Sequence, residues 1–208
     1  MSVKVQGPRA QKKAETREAL KAAARHCFAE AGYAATQIGD ITRQARVAHG
    51  TFYVHFQTKE QLTDELLVEH NRALVERLDA TWHKHASEPP LDLAQALAEA
   101  CLDHWSRERE LLAAFAERLG ATSGLDTLRD GISPPVAAFL ALRLRAVAGE
   151  IPDAELVTQA LLGMWIRIGL RYVFGPRIPK KTAAALLARL SLGALGAVVP
   201  ALAPIPTK

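Results

Sequence analysis

Residues that could form hydrogen bonds to a polyanion lie close together between Thr36 and Lys59. Gly50 has no side chain, so a helix that carries it can approach a ligand closely, and Thr51 offers a short hydroxyl to a phosphate or a base edge. Lys59 can meet a phosphate together with the N-terminus of the following helix. The sequence contains no G-x-S-x-G, no phosphate-cradling glycine loop and no H-E-x-x-H, so no enzymatic chemistry is predicted.

The net charge is concentrated in the same part of the chain. Residues 1–60 carry 10 basic and 5 acidic side chains, whereas residues 61–208 carry 16 basic and 17 acidic ones. A basic N-terminal segment followed by a near-neutral remainder favours a polyanionic partner such as nucleic acid. Cys27 and Cys101 are too few for a disulfide framework and no secretory signal is recognised, so we expect a cytoplasmic protein.

Apolar residues recur at helical spacing throughout, which predicts an all-α fold of about nine helices, three in the basic segment and six beyond it. Gly32 should end the first helix, and the Thr36 hydroxyl should cap the second. Thr58 and Gln61 form a capping box at the start of the long fourth helix. The predicted helices cover 15–31, a short segment after Thr36, 49–55, 58–85, 91–105, 108–119, 133–148, 153–174 and 180–198.

Two short helices joined by a four-residue connection follow the plan of a helix-turn-helix DNA-binding unit. The sequence GYAATQIGDITRQARVAHGTFYVHFQTKE, residues 32–60, resembles the DNA-binding domain of the TetR (tetracycline repressor) family. It departs from the family pattern because Arg46 stands where the turn usually has glycine, Ala48 replaces a capping Ser or Thr, and Gly39 weakens the second helix. The matching positions are Gly32-Tyr33, Thr36, Ile41, Ala45, Val47, Gly50-Thr51-Phe52-Tyr53, His55-Phe56 and Thr58-Lys59-Glu60.

The resemblance implies a transcriptional regulator, namely a homodimeric repressor that a small-molecule effector releases from a palindromic operator in double-stranded DNA. His49 is expected to read a base, because the N-terminal positions of a recognition helix face base edges. Lys12, Lys13 and Arg17 could extend along the DNA as a mobile arm. The residues expected to contact DNA are Thr36, Gln37, Arg43, Arg46, His49, Gly50, Thr51, Tyr53, His55 and Lys59.

The predicted domains are an N-terminal arm with the helix-turn-helix over 1–57 and a helical effector-binding and dimerisation domain over 58–208, with helix 58–85 linking the two. Helices 153–174 and 180–198 have more apolar surface than one small bundle can cover, so we expect them to form a homodimer interface. An apolar or aromatic effector should bind among the middle helices. The candidate lining residues are Trp82, Cys101, His104, Trp105, Phe115, Phe139 and Trp165.

Two alternatives stay open. Cys101 and His104 share a helix face and could serve a metal- or thiol-responsive repressor of the same fold. A buried thiol beside a histidine is the simpler interpretation, so neither a metal nor another cofactor is predicted. The apolar segment 182–199 could belong to an α-helical membrane-surface or interaction protein, but Arg189 in its middle favours a buried or partner-packed helix without membrane contact.

Overall fold

The computed structural model describes residues 7–121, 134–149, 151 and 153–199. These residues form nine α-helices and no strand, which confirms the predicted all-α fold. The third helix has the predicted bounds, and the fourth ends at the predicted residue. In chain order the helices are α1 (Pro8–Ala35), α2 (Ile38–Gln44), α3 (His49–His55), α4 (Lys59–His85), α5 (Pro90–Arg107), α6 (Arg109–Ala121), α7 (Pro134–Ala148), α8 (Ala154–Phe174) and α9 (Lys180–Val198).

The helices divide between two compact units, and α4 contributes to both. The first unit falls within Met1–Glu69 and Glu110–Gly124. Phe52 and Phe56 lie four residues apart on α3, so both point into its core, where their ring centroids are 5.7 Å apart. The boundary at residue 58 between a DNA-binding domain and an effector-binding and dimerisation domain stays a prediction. The other buried members of this core include Leu20, Ile41, Leu62, Leu66, Leu111 and Phe115.

The first helix is longer than the predicted 15–31. It begins at Pro8, whose fixed φ and missing N–H suit the first helical position. Gly32 interrupts it as predicted, with φ 79° and ψ 169°, and one more helical stretch follows to Ala35. The carboxylate of Glu117 accepts hydrogen bonds from the backbone N–H of Tyr33 at 2.7 Å and of Ala34 at 3.2 Å, so α6 supplies the partners that the broken helix lacks.

The predicted caps differ in outcome. Thr58 accepts a hydrogen bond from the Gln61 N–H at 3.1 Å, which confirms the cap of α4. The prediction for Thr36 is wrong, because its buried hydroxyl donates backward to the Gly32 carbonyl at 2.7 Å. Gln37 takes the N-cap position of α2 instead, and its own N–H donates to the Asp40 carboxylate at 3.0 Å.

The second unit falls within His70–Arg109 and Leu125–Lys208. Helices α5 and α9 pack closely because small residues, Ala98 on α5 and Ala183 and Ala184 on α9, let their backbones approach. On α8, the indole N–H of Trp165 donates to the Ser191 hydroxyl of α9 at 2.8 Å. Buried leucines from α7, α8 and α9 form a further core cluster in this unit.

Among the helices that the structure describes, α9 is long and apolar enough to cross a membrane by length and composition alone. A third of its most apolar window is buried within this chain. Leu187 packs in the cluster that α9 shares with Leu102 of α5. This packing accounts for one face of α9, as expected for a helix that buries an apolar stripe against a neighbour.

Candidate nucleic-acid interface

The connection between α2 and α3 forms a Schellman turn. The Arg46 N–H donates to the Arg43 carbonyl at 3.1 Å, and the Val47 N–H donates to the Thr42 carbonyl at 3.0 Å. Such a turn requires a left-handed residue at its second-last position, and Arg46 adopts φ 56° there. The glycine expected at this position is therefore absent while the left-handed backbone is retained, at a cost of about 1 kcal/mol.

Helix α3 presents one exposed face made by His49, Gly50, Tyr53 and Val54. Tyr53 is 53% exposed, and its ring stands edge-on to that of His49, with centroids 5.7 Å apart. Val54 is 65% exposed on the same face. It is not among the residues that the sequence predicted to contact DNA. Its position four residues after Gly50 was the available signal, because residues four apart share a helix face. An exposed valine beside polar groups suits contact with a thymine methyl group.

Gly50 has no structural reason to be glycine in the part of the chain that the structure describes. Its φ lies outside the positive range, and a Cβ built on it would have no heavy atom within 4 Å. Glycine early in a helix lowers stability relative to alanine, so its presence here is unexplained by the fold. A close approach by a partner to this face would explain it.

Polar side chains on and beside α2 complete the exposed surface. Gln37, Arg43 and Arg46 are all exposed. Arg43 forms an exposed ion pair with Asp40 at 3.0 Å, and the hydrogen bond from the Gln37 N–H, together with this pair, lowers the pKa of the Asp40 carboxyl. Exposed pairs of this kind contribute little to stability, so the Arg43 guanidinium can exchange Asp40 for a phosphate at small cost.

The structure corrects the DNA contact predicted for Thr36 and gives Lys59 partners within the fold. Thr36 is 1% exposed, so its side chain is too buried to contact DNA. The Lys59 ammonium donates to the Tyr33 and Thr36 carbonyls, each at 2.7 Å, and lies 4.2 Å from the centroid of the Tyr33 ring. It therefore stabilises the C-terminus of α1, as cationic side chains commonly do at helix ends.

Replacing Lys59 with alanine should lower the free energy of unfolding by about 2 kcal/mol, because two carbonyls at the end of α1 lose a charged donor. Chemical denaturation monitored by circular dichroism measures this change. Lys84→Ala, an exposed lysine on the same helix, is the control and should leave stability unchanged. Unaltered stability of Lys59→Ala with a weaker salt dependence of DNA binding would restore the phosphate contact that the sequence predicted.

Thr51 and His55 are half-buried, so they lie beside the exposed face of α3 and not at its centre. The His55 Nδ1 is enclosed without a hydrogen-bond partner among the described residues, and burial together with Arg17 and Lys13 lowers the pKa of its imidazole. Both effects favour the neutral ring. Arg17 donates to the His55 carbonyl at 2.5 Å and pairs with Glu65, which corrects its assignment to a mobile arm.

Replacing Arg46 with glycine should raise the free energy of unfolding by about 1 kcal/mol, because the left-handed backbone no longer strains a side chain. The same variant should weaken binding to DNA of any sequence and lower the salt slope by about one unit if Arg46 contacts a phosphate. Denaturation curves and binding titrations at several salt concentrations measure the two effects. A loss of stability would contradict the strain at Arg46. Arg43→Ala removes a charge at a position with helical backbone, so it controls for the effect of charge removal on stability.

The residues predicted to line an effector pocket do not form one group. Phe115 belongs to the core of the first unit, so its place in the set is corrected. Trp82 and Phe139 flank the guanidinium of Arg143, at 5.3 and 5.4 Å from their ring centroids. Arg143, which sequence reasoning missed, also pairs with Asp79. Cys101, His104, Trp105 and Trp165 lie elsewhere in the second unit, in or beside its packed interior.

Cys101 and His104 do not assemble a metal centre in the described ranges, where no group of three or more potential ligands is found. Burial raises the pKa of the Cys101 thiol, which disfavours the reactive thiolate. The His104 Nε2 lies 3.2 Å from the His70 carbonyl oxygen, and the two imidazole centroids are 4.4 Å apart. Burial lowers the pKa of His104, which favours its neutral form.

Comparison with known proteins adds a sequence relationship. A stretch of 90 residues is 38% identical to the HTH-type transcriptional repressor Rv3405c of Mycobacterium tuberculosis, covering 43% of this chain and 48% of that protein. The chain thus spans about half the length of the curated relatives that it matches. The profile described as bacterial regulatory proteins, tetR family, matches residues 20–66.

Two solved structures share the fold over most of the chain. A putative TetR-family transcriptional regulator from Syntrophomonas wolfei superposes with a TM-score of 0.70 at 16% identity, covering 89% of this chain and 97% of that one. RolR in complex with resorcinol superposes with a TM-score of 0.60 at 22% identity, covering 95% of this chain and 98% of that one. Residues 20–66 include the whole α2–turn–α3 unit, so this unit matches the tetR family of bacterial regulatory proteins.

Proposed function

We propose that this chain is a transcriptional repressor that inserts α3 into the major groove of an operator. The exposed face of α3 carries the proposal, because Gly50 has no role in the fold that requires glycine. His49 and Tyr53 flank Gly50 and supply hydrogen-bonding groups to base edges and phosphates. Arg43 and Arg46 lie on or just after α2 and are suited to holding the phosphate backbone on the same side.

We further propose that the repressor is a homodimer that pairs through α8 and α9. Leu156 on α8 and Leu186 and Leu190 on α9 are exposed apolar residues of this chain. Gly193 follows Leu186 by seven residues and Leu190 by three, and a Cβ built on it would meet nothing within 4 Å in the described chain. A four-helix interface from two copies would bury this stripe and present two α3 helices to the half-sites of a palindrome.

The effector is proposed to be a small molecule that binds the second unit and releases the operator. RolR, which shares the fold, has been solved with the phenol resorcinol bound. In this chain the Trp82 and Phe139 rings, both close to the Arg143 guanidinium, offer aromatic surface with a polar group. Release requires that the effector bind more tightly to the conformation that does not fit the operator.

Titration of labelled DNA from upstream of the gene, against random DNA of equal length and at a fixed salt concentration, tests the repressor proposal. Binding to the upstream DNA should be at least about 1,000-fold tighter than binding to the random DNA. His49→Ala should reduce binding to the operator more than binding to random DNA. Equal affinity of the wild-type protein for both DNAs, across fragments that tile the upstream region, would reject sequence-specific regulation.

Sedimentation equilibrium tests the dimer separately. Leu190→Glu should shift the protein toward monomers, because two carboxylates would meet near the proposed two-fold axis. Leu142→Glu is the matched control, since Leu142 is 62% exposed on α7 and should leave the mass unchanged. A wild-type monomer at micromolar concentration, or a dimer that Leu190→Glu leaves intact, would contradict the α8–α9 interface.

A further inference from the structure

The second unit contains a cavity of about 570 Å³ that the predicted effector residues do not line. Its lining comes from the end of α5, the start of α6, the end of α8 and the connection from α8 into α9. The volume falls within the range of pockets that hold drug-sized ligands, about 300–1,000 Å³. Its walls include Ser106, Arg109, Tyr172, Arg177, Ile178 and Lys180.

The charged groups that line this cavity are all basic. Lys180 is held in place by the Asp103 carboxylate, whose oxygens lie 2.9 and 3.1 Å from its ammonium. Arg109 contacts the Phe174 ring, 5.4 Å from its centroid. Within the described ranges, neither Arg109 nor Arg177 hydrogen-bonds to a carboxylate. Two guanidinium groups without anionic partners therefore remain available at one cavity, and together they favour a negatively charged ligand.

The remaining walls limit the kind of anion. Val173 and Ile178 give the cavity an apolar side, and Tyr172 adds an aromatic ring with a hydroxyl. A phosphate ion alone would leave this apolar side in contact with water. A carboxylate attached to an aromatic or aliphatic body would satisfy both parts, because guanidinium groups bind carboxylates through paired hydrogen bonds.

We propose that this cavity binds a small organic carboxylate, with Arg109 and Arg177 on the carboxylate and Val173 and Ile178 against its apolar body. The first residues of α9 add to the preference for an anion, because Pro179 provides no side-chain cap to its backbone N–H groups. This site goes beyond the proposed repressor function. Ligand binding to it can be measured on the full chain without DNA.

Isothermal titration of the full-length protein with benzoate and hexanoate tests the proposal. One of these probes should bind saturably at one site per chain, with a dissociation constant below about 10 mM for molecules of this size. The neutral analogues benzamide and hexanamide should bind at least about tenfold more weakly. Inorganic phosphate should displace the bound carboxylate only at much higher concentration.

Variants identify the site. The double variant Arg109→Gln with Arg177→Gln should weaken carboxylate binding at least about tenfold. Arg189→Gln, which removes an exposed arginine of α9 outside the cavity, should leave binding unchanged. Circular dichroism and thermal unfolding verify that each variant is folded. The proposal would be overturned if neither carboxylate bound, or if the neutral analogues bound with equal affinity. It would also be overturned if the double variant bound carboxylate as tightly as the wild type, or if phosphate were the tighter ligand.

Discussion

Gly50→Ala should weaken operator binding by about 10- to 100-fold, which corresponds to about 1.4–2.8 kcal/mol. The added methyl group would stand on the exposed face of α3, where the fold leaves open space around it. In the proposed complex that space is the narrow gap between α3 and the base edges. The methyl group would hold the helix away from the groove and lengthen the hydrogen bonds of its neighbours His49 and Tyr53.

The same substitution should leave the free protein as stable as the wild type, or more stable by up to about 1 kcal/mol, because alanine favours the helix over glycine. Fluorescence anisotropy of a labelled operator and denaturation curves give the two quantities. Gly39→Ala is the matched control, since Gly39 is also helical and a Cβ there meets nothing within 4 Å. Equal losses of DNA binding in both variants, or none in Gly50→Ala, would contradict a close approach at Gly50.

Some helix boundaries followed from local chemistry and could be predicted, although the start of α1 and the cap of α2 could not. Thr58 caps α4 through its own hydroxyl, and Gly32 breaks α1 with a backbone that glycine adopts easily. Arg46 stands where the family pattern has glycine, and its left-handed backbone is the one that glycine adopts most easily. In each case the residues involved are close neighbours in sequence, so their spacing carries the information.

Partners distant in sequence could not be predicted. In sequence, Lys59 cannot be distinguished from a lysine that binds phosphate. In the structure its ammonium donates to carbonyls that lie more than twenty residues earlier. Phe115 follows the periodicity of an ordinary apolar helix, and only the fold places it in the core of the first unit. The spacing within a helix identifies its buried face, whereas the surface that covers this face depends on tertiary packing.

The same limit applies to the glycines of α8. Sequence shows Gly163 and Gly169 on one helix without distinguishing them. In the structure Gly163 is exposed, while a Cβ on Gly169 would lie only 1.6 Å from the Cζ3 atom of Trp105. Gly169 is thus the position at which the α5 indole lies directly on the backbone of α8, and this requirement comes from packing and not from a turn.

Gly169→Ala should therefore lower the free energy of unfolding by about 3 kcal/mol, because the Trp105 ring must leave its position or α5 and α8 must separate. Chemical denaturation measures the loss, and a thermodynamic cycle with Trp105→Leu assigns it. In the Trp105→Leu background the smaller side chain leaves room for the methyl group, so the same glycine substitution should cost at least about 1 kcal/mol less. An equal cost in both backgrounds would mean that Trp105 is not the group that requires glycine at this position.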